Sequence, residues 1–182
     1  MDKNELIKKY LAELYRWNKA INLTSVAEDK AEELLVKPSL AMIEFLPDGG
    51  NLEVTDIGSG AGIPAVALAV HLPRHNFTLI ESNGKKASFL KHIAQHLKLS
   101  NVNILNERAE SSELTQCADV VTARAVNRKT VFDAAQKFLK PGGILLIHSH
   151  RTFRRSSKEE PTDNRFRKTA ENEFVERYKL LH

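Results

Sequence analysis

Apolar side chains at Leu6, Ile7, Tyr10, Leu11, Leu14 and Trp17 recur at steps of three and four residues, which gathers them on one face of an α-helix. The stretch "NLTS" (22–25) breaks that pattern, and a second helix is expected over 27–45. "LPDGGN" (46–51) is turn chemistry. From there the pattern alternates. Short apolar runs at 52–57, 76–81, 102–106, 118–124 and 144–149 read as strands, and helical spacing at 63–71, 85–98 and 130–139 reads as helices. A last strand is expected over 173–181. Strands alternating with helices imply right-handed βαβ units. The expected fold is therefore α/β: a Rossmann-like, doubly wound, mostly parallel sheet with helices on both faces and an N-terminal helical cap.

Composition narrows the class only a little. The chain has 182 residues, 42% of them hydrophobic and 27% charged, as expected for one globular domain with its own core. A single cysteine, Cys117, rules out an internal disulfide and a cysteine zinc site. The charged N-terminus "MDKNELIKKY" lacks the apolar stretch of a signal peptide, and runs such as Ala65–Val70 are too short to span a bilayer. A cytoplasmic location with no membrane partner is expected.

The net charge is +4, and segment 151–168 carries seven Lys/Arg against three Asp/Glu, a surplus equal to that of the whole chain. With Phe153 and Phe166 interleaved, that segment suits a polyanion such as RNA, or forms a solvated basic loop. His92 and His96 have the i, i+4 spacing of a metal pair but lack the H-E-x-x-H acid, so no metal is expected.

"TDIGSGAGIP" (55–64) lies between the first predicted strand and the helix after it, where a cofactor loop is expected. Its spacing is G-x-G-x-G, over Gly58, Gly60 and Gly62. A dinucleotide fingerprint needs its third glycine at position 63, which is Ile63. Asp56 stands two residues before the first glycine, and a carboxylate there would repel a diphosphate. It would attract a ligand bearing ammonium and sulfonium cations, which describes S-adenosyl-L-methionine. Glu81 ends the second strand 23 residues after Gly58, near the spacing of a ribose-binding carboxylate.

The sequence resembles class I S-adenosylmethionine-dependent methyltransferases. More closely it is similar to the bacterial family that methylates N7 of a guanine in small-subunit ribosomal RNA, historically called glucose-inhibited division protein B. The resemblance runs from about Trp17 to Gly143. It rests on "WNKAINLTSV" (17–26), "DIGSGAGIP" (56–64), "FTLIESNGKKASFLK" (77–91), "ERAE" (107–110) and "TARA" (122–125). It implies a methyltransferase acting on ribosomal RNA or the 30S subunit. It also implies cofactor contacts at Gly58, Ile63, Ala109, Glu110 and Arg124, with Asp56, Gly60, Gly62 and Glu81 beside them and Arg124 in the active site. The chain would be one methyltransferase domain, with a helical cap (1–48), cofactor-binding core (49–150), basic loop (151–168) and C-terminal strand region (169–182).

The sequence departs from the family pattern in three places. Pro38, Ala41 and Met42 stand where the family has a histidine, an aspartate and a serine, and His148-Ser149 replaces a lysine-glycine pair. One C-terminal strand is expected where the family has an antiparallel pair. These departures keep two alternatives open: a methyltransferase acting on another RNA or a small molecule, and a non-catalytic relative that binds cofactor or RNA. Guanine N7 carries a free lone pair, so the reaction needs alignment more than a base. Lys85 and Lys86 read either as RNA-phosphate contacts or as a solvated helix start.

Overall fold

The computed structural model describes residues 2–148 and 163–181. Seven strands form one sheet in the order β3-β2-β1-β4-β5-β7-β6. They are β1 (Glu53–Ile57), β2 (Asn76–Ile80), β3 (Val102–Leu105), β4 (Ala118–Arg124), β5 (Leu139–His148), β6 (Phe166–Glu171) and β7 (Val175–Leu180). The first five are parallel, whereas β7 runs antiparallel to both β5 and β6. Strand order reverses between β1 and β4, so their carboxyl ends form the crevice where ligands of such sheets bind.

The central strands are apolar on both faces because both are covered. Neighbouring residues along them feed opposite cores. Val54, Leu79, Val120, Ile144 and Leu146 join one cluster, and Ile57, Ile80, Val121, Leu145 and Ile147 the other. Helices α1 (Lys3–Asn18), α3 (Ala65–His71) and α4 (Gly84–His96) pack on the first face, and α5 (Arg128–Phe138) packs on the second. Asn83 and Asn127 cap α4 and α5, each side chain accepting from backbone amides of the first turn.

Two expectations fail. The single helix expected over 27–45 is instead a 3₁₀ turn (Glu28–Lys30), a π turn (Glu32–Val36), a short α2 (Lys37–Leu40) and another 3₁₀ turn (Ile43–Phe45). Pro38 has no amide hydrogen for the carbonyl of Leu34, so a regular α-helix cannot run through this stretch with all its bonds. The single C-terminal strand is in fact a pair, β6 and β7. The expected basic loop over 151–168 therefore ends inside a strand, and most of it lies outside the described residues, as does Ser149.

Candidate active site

The loop after β1 bends over β2. The amides of Gly58 and Ser59 both donate to the carbonyl of Ile80, at 2.9 and 3.1 Å. Gly58, Gly60 and Gly62 all have positive φ, at 67°, 53° and 85°. A Cβ at Gly58 would fall 2.7 Å from Cγ2 of Val126, and one at Gly62 would fall 2.5 Å from Cγ2 of Val66. Glycine is required at both, for conformation and for space.

Beside this loop lies a cavity of about 570 Å³. Gly58–Ala61, Ile63 and Glu81 line its loop side, and Leu23–Val26, Leu34 and Leu35 form a wall from the N-terminal segment. Arg124–Val126, His148 and Lys86 complete it. The N-terminal helices are thus part of the site.

The specific motif "WNKAINLTSV" acquires a structural role here. The Asn18 side chain accepts from the amides of Leu23 and Thr24 at 2.8 and 3.0 Å, and donates to the Thr24 carbonyl at 2.9 Å. Tyr15 donates to the carbonyl of Val26 at 2.8 Å. These bonds fold residues 23–26 into the cavity wall.

Glu81 is 7% exposed, and both its carboxylate oxygens are engaged. Oε2 accepts from the Gly60 amide at 2.8 Å, and Oε1 from the Asn83 amide at 2.7 Å. Glu81 therefore shapes the loop as well as facing the cavity, and each oxygen keeps a lone pair for a hydroxyl.

Asp56, in β1, does not line the cavity and is 1% exposed. It pairs in register with Thr122 across β1 and β4, and the Thr122 hydroxyl donates to Oδ1 at 2.6 Å. Oδ2 is buried and makes no hydrogen bond to protein. Burial pushes the carboxyl up to about 6, against the lowering effect of the Thr122 hydroxyl on Oδ1 and of the nearby Ser59 hydroxyl, which itself donates to the Asp56 backbone carbonyl at 3.1 Å.

Arg124 ends β4 opposite His148 in register, and both line the cavity. Burial lowers its pKa from the usual value, and its Nη1 is buried without a hydrogen bond. Its Nη2 donates to the Leu34 carbonyl at 3.4 Å, the carbonyl to which Pro38, four residues on, has no amide hydrogen to offer. Ala125 follows in the left-handed region at φ 56°, a conformation rare for a residue with a Cβ, at the point where the chain turns into the cavity.

Of the expected site residues, Gly58, Gly60, Ile63, Glu81 and Arg124 line one cavity, whereas Asp56, buried in β1, and Gly62, packed against Val66 and Leu90, do not line it. Ala109 is buried and Glu110 exposed in a 3₁₀ turn (Ala109–Ser111) beyond β3, and neither lines the cavity. Of the departures, Pro38 and Met42 are buried, and neither they nor Ala41 face the cavity, whereas His148 does. Among the described residues no group of three or more His, Cys, Asp or Glu is placed to hold a metal ion, and no helix is long and apolar enough to cross a membrane. The wall residues Leu23, Leu34 and Val26 had no chemical signal in the sequence, since aliphatic side chains read as core.

This topology is shared with solved methyltransferases. A SAM-dependent methyltransferase from Aquifex aeolicus matches over 99% of this chain and 98% of its own, with a TM-score of 0.64 at 16% identity, a likeness of fold. The sequence model of the family GidB, rRNA small subunit methyltransferase G, matches residues 3–179, and the chain belongs to that family. Relatives named Ribosomal RNA small subunit methyltransferase G include one from Xanthomonas euvesicatoria pv. vesicatoria, 38% identical, and one from Stenotrophomonas maltophilia, 37% identical. Each alignment covers 76% of this chain and 65% of the relative, so the match spans just under two thirds of those proteins.

Proposed function

We propose that this protein binds S-adenosyl-L-methionine in the cavity beside the glycine loop and methylates N7 of a guanine in small-subunit ribosomal RNA, acting in the cytoplasm on the RNA or the 30S subunit. The observation that carries the reading is the buried Asp56 carboxylate. Its Oδ2 lacks a protein partner beneath a left-handed glycine loop at the strand-order switch point. A buried carboxyl without a full set of partners is costly in the protein alone and suits a cationic ligand. Family membership supplies the acceptor.

The residues fit the donor. The glycine cradle admits close approach of a ligand to the backbone. Glu81 can accept from ribose hydroxyls, and Asp56 attracts the cationic methionyl end. The family resemblance gives the adenine side to the turn at Ala109 and Glu110, which lies beyond β3 and outside the cavity lining. S-adenosylmethionine supplies a methyl group on a sulfonium, already electrophilic. Arg124, a cation whose Nη1 is buried without a bond, holds an oxygen acceptor such as the donor's carboxylate or the guanine O6. The aliphatic wall of Leu23, Val26 and Leu34 excludes water and fixes the acceptor ring, and alignment of this kind can be worth roughly 7–11 kcal/mol of a barrier.

The test is transfer of labelled methyl from S-adenosylmethionine to small-subunit RNA, free and in assembled 30S particles, from cells lacking this gene. Label on a guanine that becomes sensitive to N7-specific strand cleavage is expected. No transfer to either preparation by protein that binds the donor overturns the reading. Among the described residues a second acceptor is favoured at His148, which lines the cavity where the family pattern has lysine. Transfer to a small-molecule extract with none to RNA would establish it.

A further inference from the structure

Tyr10 sits on α1, far in sequence from the cofactor loop, and reads there as one more apolar position. Its side chain is fully buried, and its hydroxyl donates to the carbonyl of Ala61 at 2.7 Å. Ala61 lies between Gly60 and Gly62 at the apex of the glycine loop. On the other side of that apex the Gly60 amide is held by Glu81 at 2.8 Å. The two bonds fix the peptide planes flanking the Gly60–Ala61 link, one from β2 and one from α1. A loop with three left-handed glycines has many other conformations to visit, so fixed peptide planes decide whether it is pre-shaped for a ligand.

We propose that Tyr10 is a positioning residue for the methyl-donor site: through its hydroxyl, α1 sets the apex of the glycine loop, and losing that one oxygen loosens the loop and weakens donor binding. The donor part rests on the function proposed above, whereas the loop part does not.

Three observations support it. Burial raises the Tyr10 pKa far above the usual phenol range, so the hydroxyl stays a donor at every physiological pH. The hydroxyl also feels Arg124 most, then Tyr15 and Asp56, so it lies within electrostatic reach of two charged residues of the site. The loop closes on itself through the Gly62 amide, which donates to the Ser59 carbonyl at 2.6 Å across the Gly60–Ala61 pair that the Tyr10 bond holds.

The experiment compares wild type with Tyr10→Phe, which keeps the ring and removes the oxygen. Leu14→Ala, on the same helix and equally buried, serves as a packing control. Amide hydrogen exchange without ligand is expected to speed up about tenfold at Gly60–Gly62 in Tyr10→Phe, with α4 amides unchanged, an effect the size of one buried hydrogen bond. Leu14→Ala is expected to lower global stability while leaving the loop no faster than α4. In calorimetric titration with S-adenosylmethionine, Tyr10→Phe is expected to bind about tenfold more weakly. Unchanged loop exchange in Tyr10→Phe, or equal loosening in Leu14→Ala, overturns the proposal. If the loop loosens but wild type binds no donor, the positioning role stands and the donor reading falls.

Discussion

Thr122 donates its hydroxyl to Oδ1 of Asp56 at 2.6 Å across the seam where strand order reverses, while Oδ2 stays buried and unbonded. One oxygen is thereby fixed by the scaffold and the other is left for something the scaffold does not provide. The arrangement stores instability in the protein alone that a cationic ligand can relieve.

That relationship predicts a pH dependence with a definite sign. Burial raises Asp56 from its ordinary value to about 6, so the folded protein holds this proton more tightly than the unfolded chain. The stability it contributes is present below about pH 4 and is lost as pH rises through about 6, a swing on the order of 3 kcal/mol. Donor affinity should change in the opposite sense, rising through the same window as the carboxylate ionises. In Asp56→Asn the stability difference between about pH 5 and pH 8 should shrink by about half that swing relative to wild type, the part of it that falls inside this window. Urea midpoints at the two pH values measure it.

Pro38→Ala should return an amide hydrogen to the Leu34 carbonyl and set a helical bond in competition with Arg124. The expected result is a protein at least as stable, with a more mobile Arg124 guanidinium and donor affinity lowered two- to fivefold, a change of about 0.5–1 kcal/mol. Nitrogen relaxation of the Arg124 Nε together with a donor titration reports both.

Asn18→Ala removes three bonds that close the 23–24 turn. It should cost roughly 1–3 kcal/mol of stability. Asn18→Asp, which keeps the acceptor and loses the donor, should fall between the two. Chemical denaturation ranks the three proteins.

Glu176 is 1% exposed in β7 and is held by Arg128 at 2.8 Å, with Lys168 and the Tyr178 hydroxyl also near. Burial raises its pKa, yet the hydrogen bond from Arg128 and the charges of Arg128 and Lys168 bring the net shift below the ordinary value. Arg128→Met should destabilise by roughly 2–4 kcal/mol by leaving that carboxylate short of a cation, and adding Glu176→Gln should recover part of the loss. Thermal melts of the single and double variants check the coupling.

Much of this could be read in the chain, for identifiable reasons. Strands β1, β2 and β4 are apolar runs bounded by turn residues, and the parallel sheet buries them on both faces, so composition and position agree. The acid-led glycine spacing and the acid at the end of β2 put Asp56, Gly58, Gly60 and Glu81 together before any coordinates. What escaped has physical causes as well. Strand β6 is an edge strand whose "FRKTAE" carries four charged or polar side chains that protect an open edge, and such a strand resembles a loop. The stretch 27–45 keeps helical spacing on either side of Pro38, and spacing alone does not register a missing amide. Tyr10 counted as apolar because periodicity sees its ring and is blind to its hydroxyl. In the cavity wall, Leu23 and Val26 fall inside the motif "WNKAINLTSV", but by residue type they, like Leu34, cannot be told from core.

Calorimetric titration of S-adenosylmethionine into wild type and Glu81→Ala tests whether the loop clamped by Glu81 holds the methyl donor, as proposed above. Wild type is expected to bind saturably and one-to-one, and the variant at least about tenfold more weakly, because it loses the clamp on Gly60 and the acceptor facing the cavity. No binding by wild type, or equal binding by a folded Glu81→Ala, would contradict it.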